Sequence, residues 1–187
     1  MRKYQITEWC LRFIRDHVKE GDICIDATAG NGNDTLELCQ LVGESGKVIA
    51  FDIQETAIAN TKKRLLDNGV EDRAEVYMES HTNMGKYAEE NSVSCIVFNF
   101  GYLPGGDHNL ATRKESSIEA IHGGLRLLRK GGLMSLCIYS GGDSGFEERD
   151  AILEELKTLD GKKYLVIKSE YYNRPNNPPI PVMIIKM

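Results

Sequence analysis

Short apolar, β-branched runs alternate with helical-period stretches along most of this chain, and that alternation constrains the fold more than any other feature. Strands are predicted at Asp22–Ala27, Lys47–Asp52, Arg73–Met78, Val93–Phe98 and Leu133–Tyr139. Helical spacing predicts helices over Thr7–Val18, Asp34–Leu41, Thr56–Asn68, Thr112–Arg129 and Phe146–Leu159, with a short one at Thr82–Glu90. A parallel sheet covered by helices follows, because parallel strands need crossover connections. The strand at Val93–Phe98 is apolar at nearly every position, as expected for a central strand buried on both faces. The closing runs, Lys162–Tyr172 and Ile180–Met187, flank the turn-forming NRPNNPP and are predicted to pair antiparallel.

The most specific stretch is DATAGNGNDT at residues 26–35. It leaves the first strand and opens a helix, the edge at which open α/β sheets bind ligands. Gly30 and Gly32 allow close approach of a ligand to the backbone. A dinucleotide fingerprint would carry a third small residue where Thr35 stands, and a phosphate-binding P-loop would end in a lysine followed by Ser or Thr. Asp52 ends the second strand 20 residues after Gly32, where an acid accepts hydrogen bonds from two ribose hydroxyls. Asp26 would repel a pyrophosphate but suits a cationic group. S-adenosylmethionine, with an ammonium and a sulfonium, fits that charge pattern. A GxG turn can also be only a tight turn; the ordered set of strand, DxTxGxG, helix, strand and terminal acid carries the reading.

The fourth strand delivers a second motif, NFGYLPGGD at 99–107, to the same sheet edge. The Asn99 carbonyl can accept hydrogen bonds from a neutral amine, and Tyr102 can pack over a flat ring. The motif shares its first and last positions with the Asp/Asn-Pro-Pro-Tyr/Phe of methyltransferases that act on amino nitrogens. Read alone, it is also a turn.

Together DATAGNGNDT and NFGYLPGGDH resemble the small class I methyltransferases of the YtqB-like, rRNA-methylase group. The resemblance extends from the Trp9 helix to the terminal hairpin. It implies a Rossmann-like α/β fold with a seven-stranded, mostly parallel sheet of order 3-2-1-4-5-7-6, the last strand antiparallel and helices on both faces. It implies S-adenosyl-L-methionine as cofactor. It also implies methylation of the aminomethyl group of 5-aminomethyl-2-thiouridine at the tRNA wobble position, with the anticodon stem-loop as partner. Asp26, Thr28, Gly30, Asn31, Gly32, Asn33 and Thr35 would line the cofactor site. Asp52 and Gln54 would hold the ribose, and Ser80 and His81 would meet the adenine. Asn99, which would also contact the cofactor, and Tyr102, with Gly101, would face the reacting nitrogen, and Asp107 or solvent would take its proton. His108, Thr112, Arg113, Lys114, Tyr139 and Ser140 are candidates for RNA contact.

Composition narrows the alternatives. The 187 residues, 41% hydrophobic and 27% charged, fit one domain spanning 1–187. No apolar run is long enough for a membrane span and no leader opens the chain, so a cytoplasmic location is expected. A net charge of −5 argues against coating long nucleic acid, yet recognition of a few nucleotides needs only a local patch. Five cysteines without a CxxC pair read as reduced, buried thiols, with no metal site. Competing readings are a methyltransferase of rRNA or of a small-molecule amine, a nicotinamide oxidoreductase, and a non-enzymatic module. A homodimer is compatible with the chain.

Overall fold

The computed structural model describes residues 5–101, 113–140 and 145–187. The elements follow the predicted alternation. Helix α1 (Ile6–His17) precedes strand β1 (Ile23–Asp26), α2 (Asn33–Val42), β2 (Lys47–Asp52), α3 (Glu55–Asp67) and β3 (Ala74–Met78). Then come β4 (Val93–Phe100), α4 (Lys114–Leu127), β5 (Leu128–Ile138), α5 (Gly145–Thr158), β6 (Tyr164–Lys168) and β7 (Ile180–Lys186). One seven-stranded sheet runs β3-β2-β1-β4-β5-β7-β6. The pairs among β1 to β5 are parallel, and β7 is antiparallel to both β5 and β6. This is the order expected of a class I methyltransferase sheet.

Alternate residues of each strand feed opposite faces. In β4, Cys95 and Val97 join Cys24, Val48 and Cys137 beneath Cys10, Ile14, Leu38 and Leu65 of α1, α2 and α3. Ile96, Phe98 and Phe100 join Ile25, Phe51 and Leu136 on the other face, beneath Ile121, Leu125 and Ile152 of α4 and α5. Two-sided burial explains why these strands read as near-continuous apolar runs. Burying each such side chain contributes about 1.5–3 kcal/mol. All five cysteines are buried as unpaired thiols. Among the described residues no helix is long and apolar enough to cross a membrane.

Most predicted boundaries shift by a residue or two, the sixth strand is shorter (Tyr164–Lys168) than the predicted run Lys162–Tyr172, and three departures bear on the sheet and the site. Strand β4 runs on to Phe100 instead of stopping at Phe98, because Phe100 is buried and stacks on Phe98 with ring centroids 4.9 Å apart. Asn99 is therefore a strand residue, in register with Cys137 of β5. Helix α4, predicted to run to Arg129, ends at Leu127, and β5, predicted from Leu133, begins at Leu128. Leu128 already pairs with Val93, and a register shift between Val93 and Cys95 absorbs the extra residues before Leu133. The short helix predicted at Thr82–Glu90 is a 3-10 helix, His81–Lys86, entered through Ser80, whose hydroxyl accepts from the Thr82 N–H at 3.3 Å.

Candidate active site

The carboxyl ends of β1, β2 and β4 open into one cleft of about 900 Å³, at the upper end of the range for ligand pockets. The loop between β1 and α2 forms its floor. Gly30 and Gly32 adopt φ of 55° and 74°, left-handed values that favour glycine. A Cβ on Gly32 would stand 2.8 Å from the Thr61 Cα, so the loop can lie against α3 only with glycine there. The Thr61 hydroxyl donates to the Gly30 carbonyl at 3.2 Å, and Arg64 Nε donates to the Asn31 carbonyl at 2.6 Å. The loop is thus tied to α3 from below, leaving Gly30 and Asn31 on the cleft side.

Asp52 sits where the ribose acceptor was expected, lining the cleft at the end of β2. Its Oδ2 accepts from the Gly30 N–H and its Oδ1 from the Gln54 N–H, both at 2.9 Å. Two backbone donors fix the carboxylate and leave a further lone pair on each oxygen for ligand hydroxyls. Thr28, Asn33, Gln54, Ser80 and His81 also line the cleft. His81 packs edge-on to Phe98 with centroids 6.0 Å apart, and burial pushes its pKa down, favouring the neutral ring. Its buried Nε2 has no hydrogen-bond partner among the described residues.

Asp26, Gly32 and Thr35 do not line the cleft; they lie beneath it. Asp26 is fully buried; its Oδ2 accepts from the Thr35 hydroxyl at 2.6 Å and its Oδ1 from the Thr28 N–H at 3.2 Å. Burial, reinforced by Asp34 nearby, pushes its pKa up to about 7. The carboxylate that does reach the cleft from this stretch is Asp34, in the first turn of α2. Sequence reasoning missed it because an acid at a helix start is commonly only complementary to the helix dipole. The signal available was its place in a second acidic position of the same motif.

Asn99 lines the cleft from β4. Its backbone N–H donates to the Thr28 hydroxyl and its side-chain Nδ2 to Asp34 Oδ2, each at 2.7 Å. Tyr102 and Asp107, assigned with Asn99 to the reacting nitrogen, lie outside the described residues, as do His108 and Thr112.

The far side of the cleft is built from Arg113, Tyr139 and Ser140, all named from sequence, together with Phe146 and the pair Asn176 and Asn177. Lys114 points elsewhere, to Glu115 at 3.8 Å. The asparagine pair takes left-handed φ of 68° and 47°, and the Asn177 carbonyl accepts from the Ser140 hydroxyl at 3.3 Å. That bond brings the turn before β7 to the cleft, a contact between segments too distant for any local pattern to show.

The family model described as "Putative rRNA methylase" matches residues 48–185. A chloroplastic tRNA (mnm(5)s(2)U34)-methyltransferase of Arabidopsis thaliana is 36% identical over 171 residues, 86% of this chain but 62% of the relative's own length. A crystal structure from Clostridium thermocellum, carrying the same rRNA-methylase description, superposes with a TM-score of 0.95 at 46% identity over 98% of both chains. One from Streptococcus mutans, described as a candidate methyltransferase in complex with SAH, gives 0.88 at 34% identity over 97% of both. With its sheet order, its glycine loop and the match over most of its length, this chain belongs to the rRNA methylase family of class I methyltransferases.

Proposed function

We propose that the chain is an S-adenosylmethionine-dependent N-methyltransferase acting on the aminomethyl group of 5-aminomethyl-(2-thio)uridine at the tRNA wobble position. The observation that carries the reading is the convergence of the Gly30–Asp52 cradle and Asn99 in one cleft. The name of the Arabidopsis relative supports the nucleoside. The residues fit the cofactor: Gly30 lines the cleft without a side chain where the amino-acid end would lie, and the doubly anchored Asp52 suits two ribose hydroxyls. Thr28, Asn31, Asn33, Gln54, Ser80 and His81 complete that half of the site. Asp26, Gly32 and Thr35 act on it from beneath, holding the loop in shape.

When bound, the cofactor supplies an activated methyl: the N–CH3 bond forms as the S–CH3 bond breaks, and S-adenosylhomocysteine leaves. The chain's own work is positioning and exclusion of water. The Asn99 carbonyl accepts from the amine N–H groups and so directs the nitrogen lone pair. An ammonium has no lone pair, so the substrate must first lose a proton, to Asp107 or to solvent. Tyr102 packs over the base. Arg113 offers charge to the RNA backbone, and the partly exposed Phe146 and Tyr139 offer faces for stacking. We place the reaction in the cytoplasm, on the anticodon stem-loop.

The test is incubation of the purified protein with methyl-labelled cofactor and tRNA from a strain lacking this methyl group, followed by nucleoside mass spectrometry. The expected product is 5-methylaminomethyl-2-thiouridine at position 34. The family description favours a second reading, rRNA, so ribosomal RNA is assayed in parallel. Label in rRNA with tRNA unmodified would replace the proposal.

A further inference from the structure

We propose that Asp34 is a positioning residue for methyl transfer: its carboxylate takes the Asn99 amide N–H and thereby turns the Asn99 carbonyl oxygen toward the accepting nitrogen. The inference rests on the N-methyltransferase reading above and assigns a role to a residue that reading does not use.

A side-chain amide is nearly symmetric in shape, and its two ends do opposite chemistry. An NH2 facing the substrate could not accept the amine's protons; the carbonyl can. Something must choose between the two orientations. A carboxylate only accepts hydrogen bonds, so with Asp34 Oδ2 at 2.7 Å it admits the Nδ2 end alone. Reversal would set two acceptors against each other in a largely buried site. The Asn99 main chain is pinned as well, through its N–H to the Thr28 hydroxyl. Asp34 itself is fixed by the first turn of α2, so the orienting contact joins two rigid elements.

Burial pushes the Asp34 pKa up, and the Asn99 amide N–H pulls it back by favouring the ionised form that accepts the bond. Among the described residues, Asp26 of β1, Glu37 of α2, Cys10 of α1, Cys95 of β4, and Cys137 and Tyr139 of β5 are titratable groups that interact with Asp34. Arg15 of α1 is bound to Glu37 and Glu8. Among the described residues, Asn99 is the hydrogen-bond partner of the Asp34 side chain.

The test is a double-mutant cycle on tRNA methylation with Asp34→Asn, Asn99→Ala and the pair. An asparagine at 34 can donate or accept and no longer selects an orientation. Asp34→Asn is expected to lower kcat at least tenfold while the tRNA KM and calorimetric cofactor affinity stay within threefold. The double variant is expected to be no slower than Asn99→Ala. Asp34→Ala is run beside it with the same expectation. Additive losses, or cofactor affinity falling together with kcat, overturn the proposal. A substrate-free readout separates this from failure of the functional reading. The Asn99 Nδ2 protons, assigned by their loss in Asn99→Ala, should exchange slowly in the wild type and quickly in Asp34→Asn. Fast exchange in the wild type overturns the positioning role. Slow exchange with tRNA left unmethylated overturns only the assigned reaction.

Discussion

Asp26→Asn should make this protein more stable in mild alkali and slightly less stable in acid. The Asp26 carboxyl is fully buried, and burial followed by repulsion from Asp34 raises its pKa from the usual 3.8 to about 7. Between those two values the unfolded chain gives up this proton and the folded chain keeps it. The folded state then binds more protons, so stability falls as pH rises and levels off above pH 7. That rise in pKa corresponds to roughly 4 kcal/mol lost between pH 4 and 7. The variant lacks this loss. Its amide can still accept from Thr28 N–H, but it must donate to Thr35, whose hydroxyl loses its acceptor; that costs about 1 kcal/mol. The expected balance is about 3 kcal/mol of stabilisation at pH 8 and about 1 kcal/mol of destabilisation at pH 4. Urea unfolding of the cofactor-free protein at several pH values and constant ionic strength measures both ends. A difference between variant and wild type that stays constant within about 0.5 kcal/mol from pH 5 to 8 would refute the reasoning.

Three further outcomes are expected. Gly32→Ala should cost about 2–4 kcal/mol in urea unfolding, from the left-handed φ and the overlap with the Thr61 backbone; an unchanged midpoint would mean that the loop does not rest on α3. Lys186→Met keeps the apolar stem but removes the ammonium that donates to the carbonyls of Leu125 and Leu128 at 2.9 and 2.7 Å and to Asn91 Oδ1 at 2.9 Å. It should lower stability by about 1–3 kcal/mol, read as a shift in the thermal midpoint. Asn99→Ala should lower kcat roughly 100-fold with cofactor affinity nearly unchanged; calorimetry showing equal losses in both would deny Asn99 its place at the reacting nitrogen.

Neighbouring residues alone encode the alternation of strands and helices, because periods of two and of about 3.6 are properties of short windows. Lys47–Asp52 is read to the residue for that reason, and the glycine loop is found at the strand–helix junction where its motif puts it. The strand order was legible through family resemblance, since local periodicity does not say that β7 enters between β5 and β6. What only the tertiary structure decided is which acid of DATAGNGNDT faces the cleft. From sequence Asp26 stands at the end of the first strand and Asp34 at the start of the helix that follows, both in one motif, and Asp26 had the better charge rationale. In the folded chain the end of β1 turns Asp26 down onto Thr35, while the first turn of α2 brings Asp34 to Asn99, 65 residues along the chain. The turn holding Asn176 and Asn177 comes to the cleft by the same kind of long-range closure, through Ser140. Side-chain direction at a sheet edge depends on how strands stack side by side and which helix packs over them. Those relations are fixed by the whole core at once, beyond the reach of any local pattern.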